Sequence, residues 1–377
     1  MLFAFLQPDY FTSIAVLHSI FNLIRVIGII IAVIICIKKR QFLYVTAIVS
    51  IYYCVYSYAT YVHDGSYNVL ISHAVLTLGF VMWVELLLRN YPDVGLHSLN
   101  FIYSILVYGN IIFFLIFPDG YIGSGNTARY FVGVSNQFAA TLIPAVIISI
   151  VYSLARFNKI ILSTKLLIVA VLFSFVYFWS ATSIVGISLI IMYLIFIHKG
   201  WLKHLINYKV VAFSMLFLFL TIVYSNNLGI FSFVIEDILG KDLTLSTRTV
   251  IWDEAKAMVS ESSYYGYGAI ESGRYIYFNE MNQKDAHNMV LQILLQSGFL
   301  GLSVIILLIA FMFKRLSKYK SHPVSKFILF SLLVASTMML TEQYAFRFIY
   351  IVLLLGIYAP NIIQAKYKNK IKTIHFK

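Results

Sequence analysis

Two side chains in this sequence have the chemistry for a polar group transfer: His287 and Arg248. His287 lies in the stretch Lys284-Asp285-Ala286-His287-Asn288, which runs into an apolar segment from Met289. Asp285 reads as the N-cap of the helix that follows, which puts His287 in its first turn. The positive end of a helix dipole disfavours imidazolium, so a neutral ring able to accept a proton is expected there. The plainer alternative is a polar residue that merely starts an apolar helix. Arg248 follows Ser246 and Thr247, either of which can cap a helix. Ile251, Ala255, Met258 and Val259 then recur at helical spacing, and a helix over about 248–261 is predicted, lying on the membrane face.

Other polar groups extend the set. Guanidinium grips phosphate oxygens in a fork, so Arg248 with Arg129, Arg274, Arg347 and His287 would suit a polyanion such as a lipid diphosphate. Asn136, with Gln137, is expected inside a helix that Arg129 opens, and Asn288 follows the histidine. Glu342 and Arg347 sit at the start of the last apolar segment. Tyr264, Tyr265, Tyr267, Tyr275 and Tyr277 crowd one short stretch, broken by Gly266 and Gly268. Their rings form either a platform for sugars, Tyr265 and Tyr267 foremost, or an aromatic belt at a membrane interface. Arg25 falls within an apolar run; an ionisable group there is a functional candidate, though one arginine more often serves a structural pairing. There is no Walker loop, dinucleotide fingerprint, HExxH or cysteine pair, so no cofactor and no metal is expected.

These residues must be positioned by an unusual chain. Of its 377 residues, 61% are hydrophobic and 11% charged, against about 45–50% and about 25% in soluble domains. Such a surface cannot be wetted all round. The sequence predicts an all-α polytopic membrane protein with about 11–12 transmembrane helices. Eleven segments qualify as spans: 13–37, 42–62, 67–88, 100–117, 131–155, 163–178, 181–197, 207–225, 289–313, 327–340 and 345–364. All belong to one integral membrane domain, 1–377, whose single large loop, 226–286, carries short helices and nine of the 15 acidic residues.

The net charge of +13 resolves as topology. Twenty of the 28 Lys and Arg fall on the side of Lys38-Lys39-Arg40, which is also the side of the C-terminal tail. By the positive-inside bias that side is cytoplasmic and the loop 226–286 is outside. No basic n-region precedes the first span, so no cleavable signal peptide is expected. The tail lysines Lys366, Lys368, Lys370 and Lys372 suit anionic lipid headgroups, and nucleic acid is not an expected partner. Cys36 and Cys54 lie in apolar runs and imply no disulfide framework.

Three stretches carry a family resemblance: Arg248-Thr249-Val250-Ile251-Trp252 with Gly266-Tyr267-Gly268; His287-Asn288 leading to Gln296-Ser297-Gly298 and Gly301-Leu302; and Arg129, Gly133 and Asn136. In order and placement they resemble the O-antigen ligase/polymerase superfamily, within the membrane glycosyltransferases of C-type fold. Ser180 to Ser183 lacks the arginine that many members carry there. The resemblance implies transfer of a glycan from undecaprenyl diphosphate at the outer face of a bacterial cytoplasmic membrane. His287 would act as base and Arg248 on the diphosphate. Arg129, Arg274, Arg347, Asn136, Asn288, Tyr265 and Tyr267 would hold substrate. The short loop and the lack of an appended soluble domain favour an oligosaccharide repeat-unit polymerase for capsule, O-antigen or exopolysaccharide. Its pathway partners would be a chain-length regulator and a repeat-unit flippase. The alternatives are an O-antigen ligase and, in another class, a lipid-linked glycan flippase.

The charge bias makes the orientation testable. In a variant lacking Cys36 and Cys54, a cysteine at Gly273 should react with an impermeant thiol reagent added to intact cells, and one at Lys318 should not. The reverse labelling would overturn the orientation.

Overall fold

The computed structural model describes residues 1–123, 127–198, 200–229, 232–238, 240, 248–270, 276–278, 281–283 and 285–365. Ser246, Thr247, Arg274, Tyr275 and the tail lysines lie outside the described residues. Two short helical turns, α1 (Leu2–Phe5) and α2 (Asp9–Thr12), precede the long α3 (Ala15–Lys38), α4 (Tyr44–Val62), α5 (Tyr67–Asn90) and α6 (Pro92–Ile116). A two-residue hairpin, β1 (Arg129–Tyr130) and β2 (Gly133–Val134), leads to α7 (Ala139–Phe157). Next come α8 (Leu162–Tyr177), α9 (Ala181–Met192) and α10 (Tyr208–Leu218), the last two running on into wider π-type turns. Then follow α11 (Arg248–Glu261), the hairpin β3 (Ile276–Phe278) and β4 (Met281–Gln283), α12 (Met289–Ser317), α13 (Pro323–Met339) and α14 (Arg347–Ile357).

Each of the eleven predicted apolar segments is helical. Among the described residues, six helices are long and apolar enough to cross a bilayer, and α14 with Ala359–Ala365, bent by 55°, would be a seventh. The other four, Leu162–Tyr177, Ala181–Ile197, Tyr208–Tyr224 and Pro323–Met339, are shorter apolar helices. The chain is an all-α, multi-pass membrane protein. Its core is built on α7 and α14: the most apolar window of α7 is 83% buried, that of α3 only 17%. On α3, Val16, Ile20, Leu23, Ile27, Ile30, Ile34 and Ile37 form an exposed stripe at helical spacing, as a rim helix facing hydrocarbon requires.

The fifth segment departs from expectation. Its helix begins at Ala139, not near residue 131, because Arg129–Val134 folds back as a hairpin through Gly133 at φ +127°. Asn136 and Gln137 therefore lie in a short 3-10 turn before α7, and Asn136 is exposed.

α12 departs more consequentially. Gly298, expected inside a continuous helix, has φ +59° and ψ −163° and breaks α12 into two pieces. A break strips carbonyls and amides of their helical partners, which is costly in an apolar setting. The segment after α11 supplies replacements. Tyr267 and Gly268 amides donate to the Leu295 and Gln296 carbonyls at 2.7 and 3.1 Å, while Phe299 and Leu300 amides donate to Ser263 and Tyr264 at 2.8 and 3.3 Å. The backbones meet so closely that a Cβ on Gly298 would come within 2.2 Å of the Tyr264 carbonyl oxygen.

Gly298→Ala should accordingly destabilise the protein by on the order of 2–3 kcal/mol or more, read as a lower thermal midpoint in detergent. Gly229→Ala, where the new methyl meets only Asn227 at 3.8 Å, should leave it unchanged. Equal midpoints for both would show that the break does not need glycine.

Candidate functional site

The break fixes α11 against α12. Trp252, fully buried, and Ile251, Ala255 and Val259 pack with Ala286, Leu291, Leu294, Leu295 and Leu340. The helix occupies the predicted residues, and its apolar face packs against protein. At its far end the Tyr267 hydroxyl donates to the Met258 carbonyl at 2.9 Å and to Glu261 at 3.3 Å. Burial, then the Glu261 charge and hydrogen bond, push the Tyr267 phenol above its ordinary range.

This packing sets Arg248, the first residue of α11, beside the start of α12. Its Nη2 donates to Glu342 Oε1 at 2.5 Å. Glu342 belongs to the turn between α13 and α14, and its Oε2 is 3.8 Å from His287 Nδ1. On the other side, Asp285 Oδ1 is 3.5 Å from the same nitrogen. Nδ1 is buried and has no hydrogen-bond partner among the described residues. It sits between two carboxylates, where an N–H on Nδ1 is favoured and Nε2 is left with the lone pair. Burial raises the Glu342 carboxyl, but the neighbouring His287 ring and the Arg248 guanidinium outweigh it and hold the group below its usual range.

The capping differs from expectation. Asn288, not Asp285, caps α12: its Oδ1 accepts from the Leu291 amide at 2.9 Å, and its Nδ2 donates to the Leu340 carbonyl at 2.8 Å. His287 is therefore outside the helix, at φ +45°. Its amide donates to Asp285 Oδ1 at 2.9 Å, and the Ala286 amide to Gln292 Oε1 at 2.9 Å. A non-glycine residue in this region is strained, and these two bonds hold it there. Both candidate caps can accept from an amide; Asn288 wins because its second group also ties α12 to the α13 end. Fully buried, it positions His287 and offers no amide to a ligand.

The remaining candidates lie elsewhere. Arg129 pairs with Asp9 at 3.3 Å. Arg347 donates to the Phe5 carbonyl. Arg25 donates to the Ala4 carbonyl at 2.9 Å and to Asn22 and Gln7. These three arginines clamp the segment 4–9, whose Phe5 ring packs against Gly79. Tyr265 is exposed and meets the Tyr58 ring at 4.9 Å. The structure thus joins Arg248, His287 and Asn288 and engages Arg129 and Arg347 with other partners. Glu342 and Asp285 complete the group. The sequence marks Glu342 only as a lone acid between two apolar runs, 55 residues beyond His287.

The fold defines a multi-pass helical membrane protein whose chemistry-bearing groups gather where the 226–286 segment meets the bundle. Residues 179–306, about a third of the chain, match the family model described as O-antigen ligase. The resemblance to the O-antigen ligase/polymerase superfamily is thereby supported, over a stretch that contains Arg248, His287 and the interlocked glycines. Arg129, Glu342 and Arg347 lie beyond the match. No curated protein and no solved structure matches.

Glu342 keeps its charge below the ordinary carboxylate value of about 4.3. Its folded pKa is depressed, so its pairing contributes stability above that value and loses it as pH falls through the lowered one. Glu342→Gln should cost on the order of 1–3 kcal/mol at neutral pH, and the gap in thermal midpoint should close in strong acid. A gap unchanged by acid would remove the charge from the account.

Proposed function

We propose that this protein is a polymerase of surface polysaccharide. It joins oligosaccharide repeat units carried on undecaprenyl diphosphate into a capsular, O-antigen or exopolysaccharide chain. The bilayer is the bacterial cytoplasmic membrane, with the 226–286 loop and the His287 group outside and the C-terminus in the cytoplasm. The observation that carries the reading is the setting of His287. Its Nδ1 is flanked by Asp285 and Glu342, and Arg248 lies across the shared carboxylate. The family match over these residues supports it.

In the proposed step the acceptor hydroxyl attacks the anomeric carbon of the donor glycan. The bond from that carbon to the carrier's diphosphate oxygen breaks, and its electron pair leaves with the diphosphate. His287 Nε2 takes the hydroxyl proton. Asp285 and Glu342 stabilise the imidazolium so formed, the role a buried carboxylate plays beside a general-base histidine. Arg248 turns its remaining N–H groups to the leaving diphosphate and offsets its charge. Arg129, Arg347 and Arg274 are reserve contacts for the carrier, of which the first two would have to release their present partners. Tyr265 and Asn136, both exposed, would touch glycan.

The short loop favours a polymerase, in which the acceptor is another carrier-linked repeat. The matched family, O-antigen ligase, favours the second reading, a ligase that passes the glycan to a lipid A core or a protein. Both share the donor step. A repeat-unit flippase and a chain-length regulator are the proposed partners in the pathway.

His287→Gln should slow bond formation by roughly 10²–10⁴-fold while carrier lipid still binds, measured as product formed in reconstituted membranes beside a lipid-binding assay. Arg248→Lys should also fail, since a point charge loses the paired hydrogen bonds. Activity of either within a few-fold of wild type would return that residue to a structural role.

A further inference from the structure

The turn between α4 and α5 lies outside the family match and outside the His287 group, yet it builds a cavity. A cleft of about 680 Å³, open to solvent, lies between His63, Asp64, Ser66 and Asn68 on one wall and Tyr267 and Ile270 on the other. That volume is within the range of sites for small ligands, about 300–1,000 Å³. The two walls are fastened together. The Ser66 amide donates to the Ala269 carbonyl at 2.6 Å, and the Ala269 amide to Thr60 Oγ1 at 2.9 Å. At Gly65 a Cβ would come within 2.2 Å of the Ala269 oxygen, so the approach depends on glycine.

The lining has a definite chemistry. Tyr267 offers its ring, already fixed by the hydroxyl's bonds to Met258 and Glu261, and the His63 ring lies 5.3 Å from it. Asp64 is held at φ +47°, a strained conformation for any residue but glycine. The Asp64 carboxylate, the Ser66 hydroxyl and the Asn68 amide make no hydrogen bond among the described residues, and Asp64 and Asn68 are exposed. Among the described residues, no lysine or arginine lines the cavity. An aromatic ring held beside unpartnered carboxylate, amide and hydroxyl groups matches a pyranose, which presents an apolar C–H face and a rim of hydroxyls. The Asp64 carboxylate disfavours phosphate and uronate.

We propose that this cavity is a sugar subsite, which takes a neutral or amino-substituted sugar of the glycan with its C–H face on Tyr267 and its hydroxyls on Asp64 and Asn68. The ligand's identity as glycan rests on the glycosyl-transfer reading above. The diphosphate is bound elsewhere, on the Arg248 side.

The test uses the full-length protein in detergent and, as probe, the oligosaccharide released by mild acid from the carrier lipid of a strain lacking this protein. Saturation-transfer NMR should detect binding to wild type. Asp64→Ala and Asn68→Ala, at exposed positions that leave the fold intact, should each weaken it at least about tenfold, and Tyr267→Leu should abolish it. Inorganic pyrophosphate should not displace the sugar. Undiminished binding in Asp64→Ala and Asn68→Ala, or displacement by pyrophosphate, overturns the subsite. The two proposals fail separately. Sugar binding that depends on Asp64 without any glycosyl transfer sinks the polymerase and keeps the subsite. Transfer with an unchanged KM in Asp64→Ala does the opposite.

Discussion

Backbone polar groups in an apolar setting must find partners, and the break in α12 at Gly298 is where that constraint shapes this protein. The four hydrogen bonds that repair the break come from residues 263–268. They lock the exit of α11 onto the middle of α12, and the apolar face of α11 then closes over the first turns of α12. Arg248 and His287, 39 residues apart in sequence, are neighbours in charge through Glu342 because of it. Two of the three stretches that carry the family resemblance, those with Gly266–Gly268 and with Gly298, are therefore the two halves of one joint. The same segment continues to Ala269, which fastens the α4–α5 turn and its cavity. One structural repair serves both proposed subsites.

Charge is handled with equal economy. A naked cluster of arginines would be costly to desolvate, and the described residues do not form one. Arg129 has Asp9, Arg248 has Glu342, and Arg25 and Arg347 have backbone carbonyls of the segment around Phe5. Among these, only the partner of Arg248 also faces a histidine. A proton taken by His287 would meet two carboxylates already in place, and a developing negative charge on a leaving group would meet Arg248. The proposed base and the proposed diphosphate contact are thus joined by one shared side chain, Glu342. It is also the link from α11 to the turn between α13 and α14.

The sequence shows the large-scale order because composition and the 3.6-residue period report burial directly. The eleven apolar segments and the helix 248–261 follow from it, and so do the glycine breaks at 266 and 268. It is silent where two local choices compete or where contact is distant. Asp285 and Asn288 are both fit to cap α12, and only the Leu340 carbonyl, 52 residues away, decides between them. Glu342 carries no local pattern. The hairpin 129–134 sits within a run apolar enough to pass for helix. The α4–α5 turn shows a commonplace His63-Asp64-Gly65 sequence, and its cavity exists only because Ala269 packs against it.

The central claim is bond formation between carrier-linked glycans at the loop end of the bundle. It is tested most directly with the purified protein in liposomes, given the lipid-linked repeat unit and no ion gradient. The account predicts a ladder of products, each longer by one repeat, with carrier diphosphate released in step. Passage of the repeat unit across the bilayer with no new glycosidic bond would contradict it and identify a carrier instead.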